Sequence, residues 1–188
     1  MENINVQKRD LTVKAKKMRR LGMIPGSVFG KSLPDSISIQ MEEAAALKLV
    51  RSKREGSKLV LNIDGQTVPV QLKEKSLNTV KNEILHITFQ ALTADEKVNS
   101  VIHLILTNDD KVEGPLEQMQ FEIPYTSLPA DMIDTITVDL EGMPAGTVLT
   151  IKDIPELNSD KIDLQVDPES IVLRINDRKL QTSTPAAK

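Results

Sequence analysis

The stretch that decides the fold of the N-terminal half is residues 59–72, Leu-Val-Leu-Asn-Ile-Asp-Gly-Gln-Thr-Val-Pro-Val-Gln-Leu. Apolar residues recur at every second position before and after the Asp64-Gly65 pair, which is the period of a half-buried strand. Asp-Gly supplies the two positive-φ residues of a type I′ turn. The stretch therefore predicts a β-hairpin in which Leu61 faces Val68 and one apolar face points inward.

Shorter patterns surround the hairpin in the first half of the chain. Residues 14–21 have a short helical pattern with Ala15 and Met18 on its apolar side, which Leu21 would extend, and Gly22 is placed to end that helix. Glycine and proline in residues 22–26 predict a turn beside it. The first half therefore predicts a compact β-sheet or barrel with one or two helices. The remaining elements are strands at 3–9, 27–30, 36–40 and 84–91, and an Ala- and Leu-rich helix at 41–51.

The second half is again strand-rich and shows no helix-length periodicity. The polar stretch 93–97 is the expected linker between the halves. Turn residues separate the strand patterns that follow it, and the polar residues 178–188 are expected to form a flexible tail. The predicted strands are 98–106, 119–124, 135–140, 162–166 and 171–175.

Charge divides between the halves, although the whole chain carries only −3. Residues 1–93 contain 16 Lys and Arg against 9 Asp and Glu, a net charge of +7. Residues 94–188 contain 8 against 18, a net charge of −10. Such asymmetry predicts two domains with different partners.

The positive charge is concentrated near the N-terminus. A run of like charges is usually a solvated face, but this run lies beside a predicted turn and belongs to the positive half. It therefore favours an interface for phosphates, whose neutralisation supplies most nucleic-acid affinity. The one acidic residue between Lys8 and Lys31 is Asp10. The basic residues of the run are Lys8, Arg9, Lys14, Lys16, Lys17, Arg19, Arg20 and Lys31.

Catalytic and cofactor chemistry has little support in the sequence. The chain has no Cys, which excludes disulfides and thiolate sites. His86 and His103 each lie in an apolar strand-like run without metal-ligand spacing, and no phosphate-binding glycine motif or nucleophile elbow is present. No signal peptide or membrane-length apolar run is present either. We therefore expect a cytoplasmic protein that is not an enzyme, with no cofactor, metal, membrane or small-molecule substrate.

Several segments resemble one protein family. Residues 16–31, Lys-Lys-Met-Arg-Arg-Leu-Gly-Met-Ile-Pro-Gly-Ser-Val-Phe-Gly-Lys, and residues 83–89, Glu-Ile-Leu-His-Ile-Thr-Phe, are similar to segments of bacterial large-subunit ribosomal protein number twenty-five, which binds 5S ribosomal RNA. The second half resembles the long form of that family, called general stress protein Ctc. The segments that carry this second likeness are 111–116, 128–131, 136–140, 142–146 and 149–153.

The resemblance implies a mainly β fold with a few short helices, arranged in two domains. A basic, RNA-binding β-barrel would occupy residues 1–93 and an acidic β domain residues 94–177. Implied partners are 5S ribosomal RNA, the large ribosomal subunit and neighbouring ribosomal proteins. The chain departs from the family pattern at Phe29, Thr88 and residues 13–15 and 75–78. The expected RNA-binding residues are Arg9, Lys16, Lys17, Arg19, Phe29 and His86, to which the charge run adds Lys14, Arg20 and Lys31.

Two other functions stay open at the level of sequence. The chain fits a protein-interaction module whose basic stretch binds an acidic protein, and a small hydrolase would need a cleft with perturbed carboxylates. The near-absence of aromatic residues, 2% of the chain, argues against single-strand binding by serial base stacking. Double-helical RNA, which proteins recognise largely by shape, is the better match.

Overall fold

A computed structural model describes residues 3–177, so the tail predicted at 178–188 lies outside the described residues. The mainly β fold with two β units is confirmed. By internal contacts, the described residues of one unit are 3–100 together with Leu128–Asp134, and those of the other are Val101–Ser127 and 135–177. The domain limits of 1–93 and 94–177 stay a prediction.

The first unit is a closed six-stranded barrel with strand order β1-β3-β2-β6-β5-β4. It closes because β1 pairs antiparallel with β3 on one side and parallel with β4 on the other. The elements are β1 (Asn3–Lys8), α1 (Ala15–Arg20), β2 (Met23–Phe29), β3 (Ile37–Glu42), α2 (Glu43–Ser52), β4 (Lys58–Ile63), β5 (Gln66–Asn78) and β6 (Glu83–Ala91).

The hairpin predicted from residues 59–72 is confirmed as β4 and β5. Asp64 has φ 48° and Gly65 has φ 90°, as a type I′ turn requires. Leu61 lies opposite Val68 in the antiparallel register. Alternating residues of the six strands fill the barrel with aliphatic side chains and Phe89, all almost fully buried.

Helix α1 has one buried side chain. Met18 is 3% exposed, whereas Leu21, expected on the same apolar side, is 69% exposed. The expectation for Leu21 is wrong because the helix ends at Arg20 and Leu21 is already its C-terminal cap. Gly22 follows with φ 76°, which confirms its predicted place at the end of the helix.

The turn predicted at residues 22–26 is also wrong beyond Gly22, because β2 already begins at Met23. Pro25 and Gly26 are buried strand residues that pair with β3. Gly26 also pairs with Ile87 in the parallel neighbour β6, where a Cβ on Gly26 would lie 2.7 Å from the Ile87 carbonyl oxygen. Glycine is needed at this position for close approach of the two strands rather than for a turn.

The second unit contains a four-stranded sheet, β10-β7-β9-β12, and a three-stranded sheet, β11-β13-β8. The prediction of a strand at 119–124 is wrong about where the strand begins. Met119 and Phe121 lie between strands and are more than half exposed. The three-residue strands β8 and β11 were not predicted, since they are too short to show a period. The strands are β7 (Val98–Thr107), β8 (Leu116–Gln118), β9 (Glu122–Ser127), β10 (Thr135–Asp139), β11 (Val148–Thr150), β12 (Ile162–Leu164) and β13 (Ile171–Ile175). Short 3-10 helices lie at Asp109–Lys111, Ile151–Asp153 and Pro155–Leu157.

Replacing Gly26 tests the close approach of β2 and β6. The Cβ of Gly26→Ala would force the strands apart, and overpacking of this kind destabilises a protein by about 1–3 kcal/mol. We expect amide hydrogen exchange across residues 84–91 to become faster, by a factor that reflects this loss of stability. Ser38→Ala, whose side chain is half-buried on the adjacent strand β3, is the control and should leave exchange unchanged. Equal exchange in both variants would contradict the packing constraint.

Candidate nucleic-acid interface

A row of polar residues crosses the outer face of the barrel from β1 to β6. The Arg9 backbone N–H donates to the Ser38 carbonyl oxygen at 2.9 Å, and Ser38 is the register partner of Ser27 in β2. The Ser27 hydroxyl and the His86 Nε2 atom share a hydrogen bond of 3.2 Å. We name Arg9, Ser38, Ser27 and His86 the polar row; all four are half-buried.

The imidazole of His86 is held in its neutral form near pH 7. Partial burial is the main cause that lowers its pKa, and the positive charge of Arg9 adds to the effect. Glu74 acts in the opposite direction and is the smaller contribution. A neutral imidazole presents one donor and one acceptor, so His86 can both bond to Ser27 and offer a polar atom to a ligand.

The cations of α1 lie beside the same strand, β6. The Arg19 Nη1 atom donates to the Leu85 carbonyl oxygen at 3.4 Å, which ties the C-terminal turn of α1 to the residue before His86. A hollow of about 330 Å³ opens between α1 and the turn that joins β5 to β6. Its charged lining is mixed but mainly basic, with the cations Lys16, Arg19, Arg20 and Lys81 and the carboxylates Glu43 and Glu83.

The other expected cations are placed differently. Lys14 and Lys17 are exposed, and Lys14 precedes α1, where its carbonyl oxygen accepts the N–H groups of Lys17 and Met18. The Lys31 ammonium forms an ion pair with Glu96 at 2.8 Å, which partly neutralises it, although the Lys31 side chain is 83% exposed. Phe29 lies on the same strand as Ser27, two residues further on, and is half-buried opposite Gln90.

The structure thus brings Arg9, which follows β1, close to Arg19 of α1 and His86 of β6. Three further residues of the surface were missed from sequence, Ser27, Ser38 and Lys81. Lys81 follows β5 in a turn whose position opposite α1 depends on the parallel pairing of β2 and β6, and no local pattern reveals that pairing. Ser27 could have been found only from its register with Thr88 and the nearby His86.

Other kinds of site are not seen in the described part of the chain. Residues 3–177 contain no group of three or more His, Asp or Glu side chains arranged to hold a metal ion. Over the same residues, no helix has both the length and the apolar character needed to cross a membrane. His103 is 6% exposed and its Nδ1 atom lies 3.4 Å from Glu122 Oε1, which agrees with a structural histidine.

Comparison with known proteins gives matches along nearly the whole chain. Residues 4–89 match the model of the ribosomal L25p family. Residues 97–179 match the model of the C-terminal domain of ribosomal protein TL5. The large ribosomal subunit protein bL25 of Akkermansia muciniphila is 32% identical over 143 residues, which is 74% of this chain and 71% of that protein.

The chain belongs to the bL25 family. Proteins of the same name from Bacillus pumilus and Listeria monocytogenes serotype 4b agree with this placement. The first is 28% identical over 85% of this chain and 76% of its own length, and the second is 25% identical over 92% and 84%. The resemblance seen in the sequence is confirmed in both halves. The bL25 family consists of structural ribosomal proteins, so the expectation that the chain is not an enzyme is also confirmed.

Removing the positive charge beside His86 tests the electrostatics of the polar row. In Arg9→Gln the protonated imidazole loses a repelling neighbour, so the pKa of His86 should rise, while burial still holds it below the usual value. Lys8→Gln removes an exposed charge one residue away and should leave the pKa unchanged. An NMR titration of the His86 ring resonances measures both variants. An unchanged pKa in Arg9→Gln would refute the coupling.

Proposed function

We propose that this protein is a structural constituent of the large ribosomal subunit and that it binds 5S ribosomal RNA through the outer face of its barrel. Membership of the bL25 family supports the ribosomal role, and its curated relatives are named large-subunit proteins. The observation that carries the RNA interface is the adjacency of the polar row to the cations of α1. That adjacency places fixed hydrogen-bonding groups beside a source of positive charge.

Each part of this surface suits a different component of double-helical RNA. The wide minor groove of A-form RNA displays 2′-hydroxyl groups, which donate and accept hydrogen bonds. Ser27 and His86, held to each other on adjacent strands, offer matching donors and acceptors. Phosphates flank that groove, and the exposed amines of Lys16 and Lys17 are free to move towards them. The rigid barrel fixes the hydrogen-bonding groups of Ser27 and His86, and the short helix α1 carries the amines of Lys16 and Lys17. Together they can recognise both the shape and the charge of the RNA.

Charge also explains why the RNA interface belongs to the first half. Residues 1–93 carry a net charge of +7, and residues 94–188 carry −10. Phosphates are attracted to the former and repelled by the latter. The second half therefore needs a partner of another kind, and a neighbouring ribosomal protein fits. Incorporation into ribosomes would place the protein in the cytoplasm, and the association with stress implied by the long-form resemblance stays a prediction.

The triple variant Lys16→Ala, Lys17→Ala, Arg19→Ala tests the RNA interface. Loss of three phosphate-neutralising groups should abolish measurable 5S RNA binding, because such contacts supply most of the affinity. Where weak binding persists at low salt, the association constant should depend less steeply on salt. The magnitude of the slope of its logarithm against the logarithm of salt concentration should fall by about 2–3. A filter-binding titration over a range of salt concentrations measures both quantities.

A matched control removes the same charge from another place in the barrel unit. Lys48→Ala, Arg51→Ala, Lys53→Ala takes two Lys and one Arg from α2 and the residue that follows it. This variant should keep most of its affinity. Equal affinity of the α1 variant and the unaltered protein would contradict the proposal, as would equal losses in both triple variants. A protein-interaction module would show a further difference, because 5S RNA would then not raise its thermal stability.

A further inference from the structure

The second unit has a strand edge that is open in the described part of the chain. Strand β10 stands at one end of its four-stranded sheet, and within residues 3–177 its one paired neighbour is β7. It has five residues, Thr-Ile-Thr-Val-Asp, whereas the edge strands β8, β11 and β12 have three each. Proteins usually shorten or interrupt an exposed edge, or give it Lys or Pro, because such an edge pairs with other chains. Strand β10 is neither shortened nor interrupted and has no Lys or Pro, and its one charged residue is Asp139 at its end.

The hydrogen bonds of β10 show which of its backbone groups face outward. The Val138 carbonyl oxygen accepts the Thr107 hydroxyl of β7 at 3.5 Å, and the Leu140 N–H donates to the Thr107 carbonyl oxygen at 3.0 Å. Backbone groups of successive residues in a strand point to opposite sides. The N–H and C=O groups of Thr135, Thr137 and Asp139 therefore point to the open edge, spaced for pairing with another strand.

An apolar pocket lies beside the same strand. It has a volume of about 200 Å³ and is bounded by the inward-facing Ile136 and Val138 of β10. The opposite wall comes from the segment that follows β10, including Met143, Leu149 and Ile154. A strand added at the open edge would direct every second side chain towards this pocket and the others to the outer face.

The charge of this region selects the kind of strand that fits. Asp153 and Glu156 line the pocket, and Asp139 is exposed on the edge strand itself. The nearby cations Lys111 and Lys152 are in ion pairs with Glu141 and Glu169. A hydrogen bond from Asn108 to Asp139 and one from Thr150 to Asp153 are the main causes that lower the pKa of each carboxyl, so both carboxylates stay ionised. Asp139 lies on the exposed face of β10 with Thr135 and Thr137, so the segment that fits is extended, with Lys or Arg on that face and apolar residues on the face towards the pocket.

We propose that the open edge of β10 and the adjoining pocket bind an extended basic segment of another protein by adding it to the sheet as a fifth strand. Main-chain hydrogen bonds would supply affinity, the pocket would select apolar side chains, and Asp139 together with the net negative charge of this half would favour a basic segment. A second copy of this chain is a poorer occupant, because two negatively charged halves would repel each other. The same repulsion disfavours RNA. This inference does not depend on 5S RNA binding, which is proposed for the other unit.

Blocked eight-residue peptides added to the full-length protein test the proposal. The probe alternates Lys and Val, which puts all Val side chains on one face of a strand. Its isomer repeats Lys-Lys-Val-Val, which has the same composition and charge but no apolar face, and a third peptide alternates Glu and Val. Fluorescence anisotropy should show that the alternating Lys-Val peptide binds about tenfold or more tightly than either of the others. Equal binding of the two Lys-Val isomers would show mere charge attraction and would overturn the proposal.

A proline on β10 distinguishes edge pairing from binding elsewhere. Thr137→Pro removes an N–H that faces the open edge, so the pairing with β7 is left intact, and peptide affinity should fall about tenfold. Thr137→Val keeps the N–H and should bind as the unaltered protein does. Both variants should retain 5S RNA binding, which separates failure of this proposal from failure of the RNA interface. Unchanged peptide affinity in Thr137→Pro would overturn the edge site.

Amide exchange in the unaltered protein keeps the test decisive if Thr137→Pro does not fold. Saturation with the alternating Lys-Val peptide should slow exchange of the Thr135, Thr137 and Asp139 N–H groups by about tenfold or more. Unchanged exchange at these amides in the peptide complex would contradict the proposal. So would a dimer of the peptide-free protein in sedimentation that dissociates in Thr137→Pro, because the edge would then belong to a second copy.

Discussion

The close parallel approach of β2 to β6 is the constraint on which the barrel and its outer surface depend. Gly26 lies opposite Ile87 without room for a Cβ. That approach places β6 between β2 and β5, so the hairpin of β4 and β5 can close onto β1. It also sets Ser27 of β2 beside His86 of β6, with 3.2 Å between the Ser27 hydroxyl and the His86 Nε2 atom. Fold and candidate interface therefore share one packing requirement.

Sequence patterns correctly predicted those structural features that neighbouring residues determine. The Asp64-Gly65 turn, the register of β4 and β5, the burial of Met18 and the helix end at Gly22 each follow from neighbouring residues. The same reasoning failed at residues 22–26, because glycine and proline are commonest in turns and the strand there is required by a distant partner. Parallel pairing between β2 and β6 has no signature in either segment alone.

The candidate interface could be predicted in composition but not in arrangement. Cations near the N-terminus and the resemblance to bL25 proteins identified the residues, and the structure placed Arg9, Arg19 and His86 near one another. It also showed differences among them that charge could not reveal: Lys31 is in an ion pair with Glu96, and Lys81 joins α1 across a hollow. The acidic half was recognised from sequence as needing another partner, but the open edge of β10 depends on sheet order, which the strand patterns do not specify.

Mapping of 5S ribosomal RNA onto the isotope-labelled protein by NMR tests the central claim most directly. On addition of RNA, amide and ring signals of Ser27, His86 and α1 should shift or broaden together, and those of α2 and of β10 should stay in place. The pKa of His86 should also rise in the complex, since nearby phosphates favour its protonated form. Shifts confined to the second unit or to α2, or no shifts at a several-fold molar excess of RNA, would contradict the account.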